Sequence, residues 1–363
     1  MQTDNFSMNS AWRDLLCELE DTPSASQMGQ LRKMLADSTA RIAMEPHAFL
    51  ETLFLNAIHN RFNPHGRAHG NLYLRHFEIP QIVLFDLLIN KFPLVSMSHG
   101  IVNDTLKHVL ADGPHSVLID IGIGRGIQTA KLIEAMALDA RLRTLTVIGV
   151  EPSSTALAYA GQLLAKVAQQ TPFKVIFKPL PSLVEALRPQ VLLDALPEEF
   201  HRLAINASLT ANHIPSVPQR IVFFEMMRKL RPDAFLLTEP ESNHMEADWR
   251  RRVENAYVHY GTIFSLIDQL YVGAAEKNGL KMFFGREIDD VVANPEDQRF
   301  ERHEPGKNWL EYMAKTGFDI GPPVCVDELH KARGINYRQE APGYLSMGHK
   351  GVKVLSILHG KCC

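Results

Sequence analysis

At 363 residues the chain exceeds a typical single domain, so its length predicts one large α/β domain with an elaboration. A hydrophobic fraction of 45% and a charged fraction of 22% suffice for an ordinary core without disulfides or a structural metal. The net charge of −3 argues against a nucleic-acid binder, and no uninterrupted apolar run approaches the roughly 20 residues that span a bilayer.

Residues 1–112 read as a helical cap, with helical apolar spacing through Trp12–Leu19, Met28–Leu35, Phe49–Ile58 and Ile82–Leu94. Pro64, Gly66 and Gly70 mark a loop in which His65, His69 and nearby His76 read as lid or surface residues rather than metal ligands. Cys17, Cys325, Cys362 and Cys363 lack zinc-site spacing. They read as free thiols in a reducing compartment, and the polar N-terminus predicts a cytoplasmic protein.

From Ser116 the pattern changes. Val117-Leu118-Ile119 is an apolar run that ends in a glycine-rich turn, and Ile127, Ala130, Ile133 and Ala137 form the apolar face of a following helix. Leu145–Val150 predicts a second strand ending at Glu151, with Ser153 and Ser154 capping the next helix. Further strands are predicted at Phe173–Phe177, Leu203–Ile205 and Phe235–Leu237, separated by helical sequence. This alternation predicts a doubly wound, mostly parallel sheet over residues 113–363. Tyr344–Met347 and Val352–Ile357 flank a Gly-containing turn and predict a terminal antiparallel hairpin. That ending fits the seven-stranded methyltransferase variant of the fold better than a dinucleotide dehydrogenase.

The turn Asp120-Ile121-Gly122-Ile123-Gly124-Arg125-Gly126 spaces its glycines G-x-G-x-G, unlike the G-x-G-x-x-G of the dinucleotide fingerprint. Glycine lets backbone approach a ligand, and the amides of the following helix point at that place. With no pyrophosphate to hold, the turn suits the amino-acid end of S-adenosylmethionine, and Glu151 suits the ribose hydroxyls.

Several motifs resemble those of the GRAS family, plant regulatory proteins with bacterial relatives and a class I methyltransferase-like core. Ser116–Ile121 with Gly126-Ile127-Gln128 is similar to the family's VHIID signature, and His99-Gly100-Ile101-Val102-Asn103 resembles the segment before it. Leu230-Arg231-Pro232 through Glu239-Pro240-Glu241-Ser242-Asn243-His244 resembles the strand and loop ending in Glu-x-Glu-x-Asn-His. Tyr260–Leu266, Arg286-Glu287-Ile288, Glu301-Arg302-His303-Glu304 and Trp309 follow at family spacing. His349 and His359 stand where the family's closing hairpin carries tryptophans. The full glycine set with Glu151 departs from plant members and points to a bacterial-type member with a working cofactor site.

The expected S-adenosylmethionine site comprises Asp120, Gly122, Gly124, Gly126, Gln128, Glu151, Ser153 and Asn206, with His99 and Asn103. Strand ends face the ligand in doubly wound sheets, so Glu239, Asn243, His244 and His213 are the candidate catalytic residues, able to align a nucleophile and take its proton. A structural reading stands beside this one, with Asn243 and His244 capping the next helix and Glu239 bound to backbone amides. Glu239, Glu241 and His244 make no complete ligand set, so no metal is expected. The sequence thus predicts a methyltransferase acting on a small molecule, without nucleic-acid or membrane partners, and with a homodimer allowed. The alternative is a non-catalytic GRAS-type regulatory or protein-interaction scaffold.

Overall fold

The computed structural model describes residues 10–63, 81–138 and 141–362, apart from 323, 325 and 333. The loop carrying His65, His69 and His76, together with Cys325 and Cys363, lies outside the described residues. The chain begins with helices α1 (Ser10–Glu18), α2 (Ala25–Arg41), α3 (Pro46–Phe62) and α4 (Gln81–Lys91). Alternation follows through α5 (Pro93–Leu110), β1 (His115–Ile121), α6 (Ile127–Met136), β2 (Thr144–Val150), α7 (Ser154–Ala168) and β3 (Lys174–Leu180). It continues through α8 (Pro189–Ala195), β4 (Arg202–Ser208), α9 (Val217–Lys229) and β5 (Ala234–Pro240). Last come α10 (Trp249–Asp268), α11 (Ala274–Ala293), α12 (Gly306–Lys315), β6 (Ile335–Ala341), β7 (Tyr344–His349) and β8 (Val352–Gly360).

Two compact units result. One takes the described residues of Met1–Phe92 with Ser242–Glu304 and Gly348–Val354; the other takes Pro93–Glu241, Pro305–Met347 and Leu355–Cys363. In the helical unit Trp12 and Phe54 are buried beside the ring of Tyr257, and the Trp12 indole donates to Glu51 at 2.7 Å. The helix expected over Ile82–Leu94 is divided at Pro93. Proline has no N–H to continue α4, whereas its fixed φ suits the first turn of α5.

The sheet has eight strands in the order β3-β2-β1-β4-β5-β8-β7-β6. Strands β1 to β5 pair in parallel, and β8 runs antiparallel to β5, with Phe235 opposite Gly360 and Pro240 opposite Leu355. The mostly parallel sheet and the closing hairpin agree with the sequence reading. The eighth strand, β6, was not foreseen: only Ile335 of Ile335–Ala341 is buried, so the segment lacks a strong apolar signature. Central β1 is buried from Ser116 to Ile121, because helices cover both faces of a parallel sheet and its apolar residues need no alternation. Val117, Ile119, Ile205, Phe224, Phe235 and Trp309 belong to one core cluster.

Candidate functional site

The first strand-end site is built around Asp120, which β1 sets opposite Gly149 of β2 and Asn206 of β4. Its carboxyl accepts from the Asn206 amide at 2.8 Å and from the Thr129 hydroxyl. Asn206 also reaches Gln128 at 3.4 Å, and Gln128 and Asn103 exchange hydrogen bonds of 3.3 and 3.0 Å. Four residues expected to meet a cofactor are therefore brought together, largely by bonding one another. Burial pushes the Asp120 carboxyl up to about 6, opposed by Thr129 and Asn206. His99 is buried on α5, where desolvation and then Lys131 push it down to about 3, so its ring is neutral.

The glycines do two different jobs. Gly122, Gly124 and Gly126 have φ of +80°, +52° and +74°. A Cβ on Gly122 would lie 2.1 Å from the Thr210 methyl, and one on Gly126 would lie 3.1 Å from the Ala160 Cβ. A Cβ on Gly124 would meet nothing nearer than 3.9 Å. Packing thus explains Gly122 and Gly126, while of the three only Gly124 leaves room for a Cβ. Glu151 is half-buried and accepts the Ser153 N–H at 3.0 Å. Burial raises its carboxyl, while the Ser153 and Gly124 amides lower it. Ser153 caps α7 through the Ala156 N–H at 3.2 Å, as its sequence position predicts.

The second strand-end site lies after β5 and has a different character. Glu239 is 0% exposed, and its carboxyl accepts the backbone N–H groups of Thr210, Ala211 and Asn212 at 3.1, 2.7 and 3.3 Å. Burial pushes it up to about 7, opposed first by the Ala211 amide and then by the His213 charge. Glu241 accepts from the Gly306 N–H at 2.8 Å, the Tyr344 hydroxyl at 2.7 Å and the Ser356 hydroxyl. One carboxylate thereby ties the start of α12 to β7 and β8. The Asn243 carbonyl accepts from the Asn255 side chain at 3.0 Å. His244 is 0% exposed, and burial, then the charges of His303 and His259, hold it well below the usual imidazole range. Neither Asn243 nor His244 caps α10. Asp248 does so, accepting the Arg250 N–H at 2.9 Å.

Among the described residues, one group of side chains could hold a metal ion: Glu287, Glu301 and His303. Sequence reasoning passed over these as family motif positions, since Glu301-x-His303 with Glu287 far upstream is no diagnostic ligand spacing. It also missed the clamp made by Glu241, whose partners lie 65, 103 and 115 residues away.

A parallel sheet with a glycine turn after its first strand and an antiparallel hairpin beyond β5 defines a Rossmann-like protein of the methyltransferase type. Within that class, the chain belongs to the GRAS domain family, which it matches over residues 15–328. It is 27% identical over 277 residues to DELLA protein GAI of Gossypium hirsutum, covering 70% of this chain and 51% of that protein. It is 26% identical to DELLA protein RGL1 of Arabidopsis thaliana, covering 64% and 45%. The chain thus spans about half the length of these curated relatives. The crystal structure of SCL7 from Oryza sativa superposes with a TM-score of 0.80 at 19% identity, covering 98% of this chain and 100% of that one.

These findings overturn the expectation of a methyltransferase acting on a small molecule. The related proteins carry the names of DELLA proteins, not of enzymes. The catalytic roles expected of Glu239, His244, Asn243 and His213 rested on that expectation.

Proposed function

We propose that this chain is a non-catalytic GRAS-type regulatory protein whose fold serves as a scaffold for binding other proteins. The observation that carries this reading is the use made of the Glu-x-Glu-x-Asn-His motif. Glu239 is consumed by three backbone amides, Glu241 by α12 and the hairpin, and His244 is sealed from solvent. A general base must come within hydrogen-bond reach of the proton it takes, whereas Glu239 and His244 are enclosed away from solvent. The kinship to DELLA regulators supports the same reading. Its test is a reporter assay with the full chain tethered to a promoter through a heterologous DNA-binding domain. Altered transcription is expected, also for a Gly124→Val variant; unaltered transcription would count against a regulatory role.

A finer reading concerns the turn after β1. We infer that it still accepts a nucleoside of the S-adenosylmethionine type as a ligand, as in a bacterial-type member, without transferring its methyl group. The room beside half-buried Gly124 and half-buried Glu151 support this. Calorimetric titration with S-adenosylhomocysteine tests it, and no heat at millimolar ligand would leave the turn purely structural.

A further inference from the structure

The helical unit contains a polar cluster that neither the scaffold nor the glycine turn uses. Glu287 stands on α11, while Glu301 and His303 lie on the segment between α11 and α12. One ligand atom from each lies within 4.8 Å of the other two, and the residues are 6%, 1% and 2% exposed. The Glu301 carboxylate and the His303 Nε2 are 3.0 Å apart.

We propose that Glu287, Glu301 and His303 form a binding site for one divalent first-row transition cation, with Zn²⁺ the best match to two carboxylates and an imidazole. Such donors bind zinc at about 2.0–2.2 Å, so tetrahedral ligands stand about 3.3–3.6 Å apart. Small side-chain rotations shared among three residues close the observed spacing.

The surroundings have the form of an outer shell that orients metal ligands. The Tyr260 hydroxyl donates to Glu287 at 3.1 Å. Asp290 accepts the backbone N–H groups of both Phe300 and Glu301 at 2.8 Å, which fixes the segment presenting Glu301 and His303. His244 donates its backbone N–H to the His303 carbonyl at 2.9 Å, and its ring stacks on His303 with centroids 4.5 Å apart. Both His244 ring nitrogens and the His303 Nδ1 are buried without hydrogen-bond partners. A buried nitrogen left in this way is costly unless an ion, a water or another group engages it.

Electrostatics agree with a cation. Two carboxylates offset a dication, and buried charges are tolerated when paired or when they coordinate metal. Arg252 donates to the Val291 and Glu246 carbonyls, and Arg299 to that of His244. The bound ion would tie α11 to the segment leading into α12.

The test uses the full chain, stripped with chelator and titrated with Co²⁺ and then Zn²⁺. One Co²⁺ per chain is expected, with the visible absorption of four- or five-coordinate cobalt, displaced by Zn²⁺ with a rise in Tm. Glu301→Gln and His303→Asn should each weaken binding by more than the roughly 10–100-fold that loss of an outer-shell partner such as the Tyr260 hydroxyl brings. Absence of cobalt absorption and of a zinc-dependent Tm shift in the wild type overturns the proposal. So does binding that survives both substitutions. Should either variant not fold, zinc X-ray absorption of the wild type decides: oxygen donors with an imidazole support the site, and sulfur donors overturn it.

Discussion

The two strand ends at which chemistry was expected differ in what they leave open. After β1, hydrogen bonds hold the turn in shape, yet Gly122, Gly124, Gln128 and Glu151 stay partly accessible and Gly124 has room for a Cβ. After β5, Glu239 and His244 are fully buried, and the bonds of Glu239 run to the backbone after β4. The comparison teaches that a carboxylate at the carboxyl end of a parallel strand is no sign of catalysis by itself. What separates a site from a joint is whether the group keeps an unspent lone pair and a path to solvent.

The largest effect should come from the joint. Glu239→Ala leaves three buried amides without their acceptor and should cost about 3 kcal/mol or more of stability in urea unfolding. Glu151→Ala, at the open turn, should cost only about 0.5–1.5 kcal/mol. Equal losses would erase the distinction.

Within the open turn, Gly122→Ala combines positive φ with a collision against Thr210 and should cost about 2–4 kcal/mol. Gly124→Ala carries the φ penalty without the collision, and about 1–2 kcal/mol is expected. If thermal denaturation ranks the two in reverse, the packing account of Gly122 is wrong.

Acid and base act on the buried groups with opposite signs. His99, held down to about 3 from 6.5, binds its proton more readily in the unfolded chain. Its contribution is therefore complete above pH 6.5 and is lost as pH falls toward 3. Glu239, pushed up from 4.5 to about 7, keeps its proton longer in the folded state, so stability declines as pH rises through that window. Urea unfolding from pH 4 to 8 should show His99→Gln flattening the acid limb and Glu239→Gln flattening the upper one. Slopes unchanged by either substitution would mean that these groups do not set the profile.

The remaining effect concerns the ligand. If the β1 turn holds a nucleoside through Glu151, Glu151→Ala should weaken S-adenosylhomocysteine binding by about 1.5–3 kcal/mol with the fold intact. An unchanged Kd would assign Glu151 to the turn alone, through the Ser153 and Gly124 amides.

Much of the fold was legible because burial repeats locally. The apolar run Val117–Ile119, the face Ile127, Ala130, Ile133 and the cap Ser153 each announce an element through near neighbours. Motif order in the sequence likewise pointed to the GRAS family. The role of the motif residues was not legible in that way. In sequence Glu239 reads as a base or as a partner of backbone amides, and the arrival of residues 210–212 beside it decides for the second. Strand β6, with so little of it buried, and the meeting of Glu287 with Glu301 and His303 also depended on the assembled fold. The sequence by itself determined most of the strands, turns and helices, β6 apart, since those follow from spacing of two or about 3.6 residues. Tertiary structure alone decided which polar groups are spent on one another, because hydrogen-bond partners far apart in the chain are chosen by topology and not by local pattern.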